Sequence, residues 1–565
     1  MSRRVIRRWE LTGSLVAQAP LHIGGLDAGP AQLVQARDGA GRPLLPGTAL
    51  AGVIQSALRA DGVPDHRLWG LPPERDGTGG EASWVRVDDA CAVGTPYVEV
   101  RDHVSIDRVH GVAARGHLFS REVLAAGTRF AFRMVVDAPA GADAATAEDL
   151  VGAVAARLRG PGISVGAAVT RGLGLVRLTD AVLRESDLVS RAGMLAALRT
   201  GGEPVDLPAA DPDEVPPGVL RFVVPWRPHG PLAVQVSSDG DVVSAFPLTG
   251  HDGEHTRLEL PGSSIKGVLR SHAERIARTV TGACTPEKFL DQMRADGLGP
   301  VAALFGTAAA RDGDDPTLPA GRRGALRVAT CVSTAALPTA QWEAVRLLQR
   351  RLADTVDHDG AEPPGDDGSD PPGDDGPQRT ADQVRAALGT LQRAVDELND
   401  SVDGIRFTIA HHVAVDRWTG GAAESLLFAT VQPHATDAGA WQPITLDLAV
   451  DRLDQDPTTT SAHATASADD DRRAALALLL LVLRDLCDGW IGFGHGTTRG
   501  SGGVRVDPAA VTLRAGPRSG WCTTLDGRSL ADMLTDDEVT APLTAAWQAT
   551  ARRTAARLAT AGGHA

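Results

Sequence analysis

The chain has 565 residues, 43% hydrophobic and 22% charged, and its 56 basic and 71 acidic residues leave a formal net charge of −15. That length holds about two to four domains, and the overall charge speaks against a uniformly basic nucleic-acid binder. Five scattered cysteines, Cys91, Cys284, Cys331, Cys487 and Cys522, form no C-x-x-C pair and so argue against a zinc site or a disulfide framework.

The start, MSRRVIRRWELTGSL, carries arginines but no apolar core of a secretion signal, so a cytoplasmic protein is expected. The first patterned element is LPGTALAGVIQSALR (Leu45–Arg59), a helix opened by Pro-Gly. HVSIDRVHGVAARGHLF (His103–Phe119) follows as a strand region, then a helix over Ala145–Arg159, then the glycine-rich stretch GPGISVGAAVTRGLGLVRL, whose alternation after Arg171 predicts a returning strand.

The same blocks then recur in the same order. LPGSSIKGVLRSHAE (Leu260–Glu274) answers the first at an offset of 215, HVAVDRWTGGAAESLLF (His412–Phe428) the second at 309, and TRGSGGVRV (Thr498–Val506) answers TRGLGLVRL (Thr170–Leu178) at 328. The growing offset marks an insertion in the second copy, which contains PPGDDG twice, at Pro363–Gly368 and Pro371–Gly376. An acidic, Pro- and Gly-rich stretch of this kind has too little apolar surface to offset its ordering entropy, so a disordered insertion is expected at about 354–382. A helix over Arg472–Leu486 precedes the second glycine loop. Its apolar run Ala474–Leu483 is about half as long as a bilayer span, which predicts a buried helix and no membrane partner. Leu543, Trp547, Ala551, Ala555 and Leu558 give the tail a helical stripe. The boundaries read from these patterns are a first domain over 8–200, a linker over 201–217, a second domain over 218–525 and a helical tail over 526–565.

Lysine is nearly absent: only Lys266 and Lys288 occur. In the second Pro-Gly helix, Ser263 or Ser264 can cap the amides, and Ile265, Val268, Leu269, His272 and Ile276 fall on one stripe. Lys266 and Arg270, four apart, share another face, and Gly267 leaves the backbone open. Free amides, a hydroxyl and two cations one turn apart suit a phosphate. The same pattern also suits an ordinary amphipathic helix with solvated charges. The first copy has Ala51 and Gln55 at the matching positions and keeps only Arg59, one turn on. In the glycine loops, Arg171 with Gly172 and Arg499 with Gly500 offer charge and close backbone approach. Neither loop fits a Walker or Rossmann motif.

Taken together, LHIGG (Leu21–Gly25), the two Pro-Gly helices, VAALFG (Val301–Gly306) with GALRV (Gly324–Val328), both V-x-[IV]-D-R blocks and both TRGxG loops resemble the RAMP superfamily of CRISPR-associated proteins, and in particular two fused backbone subunits of a type III effector complex. The resemblance covers roughly residues 8–180 and 218–510. It implies an α+β chain of two tandem ferredoxin-like, RNA-recognition-type βαββαβ domains with inserted loops. It further implies guide RNA, target RNA and other effector subunits as partners, with Ser263, Ser264, Lys266, Gly267, Arg270, Arg59, Arg171, Gly172, Arg499 and Gly500 binding RNA.

In active relatives a loop aspartate cuts target RNA with Mg²⁺ or another divalent metal. Here the expected places hold Gln32 in one copy and Ser244 or Ala245 in the other. Asp27 lies near the first and Asp38 in the turn beyond it, while Asp239 and Asp241 precede the second. Asp241 and Asp27 are the catalytic candidates, with Asp241 as the metal ligand. Two alternatives stand beside this. One is a guide-precursor-processing endoribonuclease using His22, His103, His411 or His412. The other is a scaffold that binds RNA and partner subunits without cutting.

Overall fold

The computed structural model describes residues 4–562 apart from 26–30, 65–66, 74–78, 140–142, 238–241, 253–254, 295–297, 309–320, 359–380, 437–438 and 454–461. The repeated segment of the expected acidic insertion therefore lies outside the described residues.

Alternation builds the first sheet. In β1 (Val5–Ala17), Trp9, Leu11, Leu15 and Ala17 turn inward while Arg8, Glu10, Thr12 and Ser14 sit on the other face. The chain continues through α1 (Gly47–Ala60), β2 (Val85–Val87), a long hairpin of β3 (Val98–Ile106) and β4 (Ala113–Leu124), β5 (Arg129–Pro139), α2 (Asp143–Arg159) and β6 (Leu175–Asp187). β1 lies between β5 and β6, pairing Trp9 with Val136 on one side and with Glu185 on the other. The sheet order β6-β1-β5-β2 is that of a ferredoxin-like βαββαβ unit, with the hairpin as an insertion. Leu50, Ile54 and Leu58 of α1 and Leu150, Val154 and Leu158 of α2 close its core.

Beyond α3 (Arg191–Thr200), the segment read as a linker contributes β7 (Glu203–Val205), which pairs with β6 as an edge strand. Pro204 is tolerated there because an edge strand can spare a donor.

The second unit repeats the plan. It runs through β8 (Val219–Val224), β9 (Arg227–His229), α4 (Gly262–Thr281), α5 (Phe289–Arg294), α6 (Gly299–Phe305), β10 (Leu326–Val328), α7 (Thr339–His358), α8 (Ala381–Asn399), a second long hairpin of β11 (Ile405–Val415) and β12 (Ala422–Ala435), β13 (Ile444–Ala449), α9 (Ala462–Cys487), β14 (Gly503–Arg505) and β15 (Thr512–Ala515). The order β10-β13-β8-β15 matches the first sheet, so the fold is two ferredoxin-like domains in tandem. Its last strand is interrupted by a turn at Pro508–Ala510, so β14 pairs with β9 and β15 with β8. The run Ala474–Leu480 of α9 is buried throughout, as its apolar sequence requires. After α10 (Leu530–Thr535), α11 (Asp537–Gly562) packs on α9 and α4. Among the described residues no helix is long and apolar enough to cross a membrane.

The first hairpin does not stay with its own sheet. Arg101 of β3 is buried against Glu259, with Nη2 donating to Oε2 at 2.9 Å, and also pairs with Glu99. At the hairpin tip, the Arg108 amide donates to Gln292 Oε1 at 2.8 Å, and its guanidinium reaches Glu274 of α4 at 3.3 Å. The two units are thus joined by buried polar contacts as well as by the chain.

Candidate nucleic-acid interface

Between the units runs a groove of about 1700 Å³, walled by the first hairpin, the first glycine loop, α4 and the second glycine loop. Its lining carries ten lysine and arginine side chains and only two carboxylates, Asp102 and Glu274, in a chain whose net charge is −15. Charge has therefore been segregated into this groove.

Of the sequence-predicted residues, Ser263, Ser264, Lys266, Gly267, Arg270 and Arg171 all line it. A Cβ on Gly267 would meet nothing within 4 Å, so the backbone is open to a ligand there. Ser263 and Ser264 do not cap α4. The cap position is Pro261, with no side-chain hydrogen bond, which places both serines inside the first turn.

Lys266 and Arg270 are not solvated on a free face: they are 6% and 8% exposed. The helix period separates them from the apolar stripe, but the neighbouring loops cover both. Lys266 Nζ donates to the Leu326 carbonyl at 2.6 Å. Burial first, then the positive charges of Arg171, Arg270 and Arg323, bring its pKa down to about 7. Arg270 donates to Glu274 and to the Gly306 carbonyl, yet its Nη2 is buried with no partner.

Gly172 approaches protein rather than ligand. With φ at +92°, a Cβ there would stand 2.7 Å from the Thr330 amide nitrogen, and Thr330 Oγ1 donates to the Gly172 carbonyl at 3.4 Å. Gly262 is confined in the same way, between the carbonyls of Val328 and Arg171. The first glycine loop is thus a dock for the second unit, and this docking presents Arg171 to the groove. Gly500, by contrast, has open space around it at φ +86°. Arg499 lines a smaller pocket that adjoins the groove. Arg59, in the last turn of α1, is not among the lining residues of either. Asp27, Asp239 and Asp241 lie outside the described residues. Within those residues no three acids, histidines or cysteines converge to hold a metal.

The histidines separate by environment. His22 is buried, its Nδ1 against the Glu122 carbonyl at 2.7 Å, a packed residue. His103 lines the groove, stacks on Phe119 and leaves Nε2 buried without a partner. Burial and then Arg121, Arg171, Arg101 and His22 push its pKa down to about 4, so the imidazole is neutral. His412 lines the smaller pocket, and His411 is exposed.

Three features of the groove were missed by sequence reasoning. Arg121 of β4 stands directly opposite Arg101, a pairing that costs energy unless each charge is offset. Arg101 has its two glutamates, but Arg121 Nε is buried with no partner. Arg323 lies just before the GALRV segment, Gly324–Val328. Trp490, 72% exposed, offers a ring to the groove. Trp490 had a signal, since it sits inside the glycine stretch; Arg121 and Arg323 had none, because the repeat holds Thr430 at the matching position of one and nothing comparable for the other. Among the described residues, no carboxylate lies within ion-pair distance of Lys266, Arg121, Arg171 or Arg323. Two of these cations, Lys266 and Arg121, are buried, and without a counter-charge among the described residues they raise the free energy of the empty groove, a penalty that a polyanion entering it lowers.

Among family models, the RAMP superfamily matches residues 14–177 and 247–505, which take in most of both ferredoxin-like units, both Pro-Gly helices and both glycine loops. No curated protein matches the chain.

Proposed function

Because the chain belongs to the RAMP superfamily, whose members are CRISPR-associated RNA-binding proteins, we propose that it is a guide-RNA-binding backbone subunit of a type III-like effector complex, with single-stranded RNA held along the inter-domain groove. The observation that carries this reading is a set of cations that have no counter-charge among the described residues, Lys266, Arg121, Arg171 and Arg323, gathered in one groove of an acidic protein. Phosphates supply the missing charge, the open backbone at Gly267 admits a close approach, and Trp490 gives one base a stacking surface. The test is binding of an unstructured RNA to the whole chain over a range of salt concentrations. The logarithm of affinity should fall with the logarithm of salt, with a slope near 0.7 per phosphate contacted. A flat salt dependence would dismiss the groove as the RNA site.

The second hairpin supports a stacked assembly. Where the first hairpin's tip docks on α4 and α5, the matching tip of the second bears Trp418, 96% exposed, with Val413 and Val415 also exposed behind it. Such a tip suits the next RAMP subunit along a guide. Target cleavage by Asp241 or Asp27 with a divalent metal is part of the proposal. Asp241→Ala should remove one set of cuts in a guide-loaded complex and leave guide binding intact, as EDTA should for all cuts. Unchanged cutting in the variant would place the reaction elsewhere.

A further inference from the structure

The two copies of the hairpin and glycine loop differ in chemistry at one place. In the second copy they enclose a pocket of about 80 Å³ that shares Gln235, His495 and Ser501 with the groove. His412, stacked on Phe428 at 4.9 Å, points its Nε2 at Thr430 Oγ1 (3.0 Å) and Gln432 Nε2 (3.4 Å). From the loop side, Arg499 donates to His495 Nε2 at 2.8 Å. An arginine can only donate, so His495 is held as a neutral acceptor; the Gln432 amide does the same for His412.

The first copy stacks His103 on Phe119 in the same way, at 5.1 Å. It has Arg121 where the second has Thr430, Val123 where the second has Gln432, and Ala167 where the second has His495. A fixed charge in one copy is thus replaced by hydroxyl, amide and imidazole in the other. Arg171 and Arg499 are common to both. The charged and titratable groups that face the two imidazoles are Arg499 from the loop and His411 from the hairpin, besides each other. No carboxylate lines the pocket. Burial, followed by Arg499, holds both imidazoles below their ordinary range, so near neutral pH they carry no charge.

We propose that this pocket seats one phosphoryl group of RNA, and that His412 and His495 take up protons and turn from acceptors into donors as the anion enters. It rests on the groove being the RNA site. At this site the first unit then holds RNA by the permanent charge of Arg121, and the second adds to its arginines a charge that depends on pH. An anion between the imidazoles raises their proton affinity, so binding is favoured where they can be protonated and is lost as pH rises toward 7. The same phosphoryl chemistry is present within the RNA chain and at a phosphorylated end.

The test measures affinity of the full chain for a short unstructured RNA at pH 5.5, 6.25 and 7 and constant ionic strength, for the parent and for His412→Gln with His495→Gln. In the parent, affinity should fall by roughly tenfold per pH unit for each proton taken up. Calorimetry at pH 6 in two buffers of different ionisation enthalpy should show that uptake directly. In the double variant the pH dependence should shrink to the roughly twofold fall that Lys266 alone gives by pH 7, and the proton uptake at pH 6 to a small remainder, while the salt dependence set by the groove arginines persists. Equal pH slopes, or no proton uptake by the parent, would overturn the proposal and leave the groove reading standing. Absence of RNA binding by the parent at every pH would overturn both. RNAs of equal length with hydroxyl or phosphate ends separate the two sources: tighter binding of the phosphorylated form in the parent alone assigns a terminal phosphate, and equal binding an internal one.

Discussion

Lys266→Met tests whether the near-neutral lysine is part of the RNA site or a packing residue. The substitution keeps an unbranched stem and removes the ammonium. In the free protein the pKa of Lys266 is about 7, and phosphate beside it should restore the ordinary range near 10.4. Above pH 7, binding must therefore carry a proton onto the amine. Affinity is fully present below pH 7 and declines as pH rises above it. A group half protonated at pH 7 is only about 3% protonated at pH 8.5, so parental affinity should fall roughly fifteenfold over that interval. The methionine variant should bind more weakly at pH 7 and show no such fall. Fluorescence anisotropy with an end-labelled RNA at fixed ionic strength reads both. This window lies above the one in which the pocket histidines titrate, so the two effects can be separated in one protein. A parent whose affinity is level from pH 7 to 8.5, or a variant that keeps the parental slope, would refute the reasoning.

Glu259→Gln leaves Arg101 buried with Glu99 as its remaining carboxylate. Removing one member of a buried pair costs about 3 to 5 kcal/mol, so urea denaturation should shift by about 3 kcal/mol; less than 1 kcal/mol would mean that water takes the glutamate's place. Replacing 359–380 by a short Gly-Ser linker between α7 and α8 should preserve soluble protein and RNA affinity, since loop length adds little closure cost. Loss of either would give the acidic stretch a structural role. Trp418→Ser should leave thermal stability within about 0.5 kcal/mol, as for other exposed positions, and reduce association with neighbouring subunits on a guide. Unaltered assembly by sedimentation would remove the second hairpin tip from that interface.

The sequence alone determined the duplicated architecture. The alternation after Arg171, the apolar stripes of α4 and α11, the apolar run of α9 and the order of the three repeated blocks are local patterns, and local patterns report how one element divides its faces. They also located Ser263, Ser264, Lys266, Gly267, Arg270 and Arg171 in one place, because five of them share one short stretch of helix. What the patterns could not report is which segment covers a face. Helical spacing puts Lys266 and Arg270 off the apolar stripe, and only tertiary packing, with the Leu326 and Gly306 carbonyls of the second unit against them and the first glycine loop and hairpin walling the same groove, turns them from surface cations into buried ones. For the same reason Gly172 read as an approach to ligand and proved to be an approach to Thr330. The pairing of Arg101 with Glu259 and the convergence of His412 with His495 are contacts between distant segments. Their free energy depends on desolvation and on the neighbouring charges, which exist only once the two units have packed.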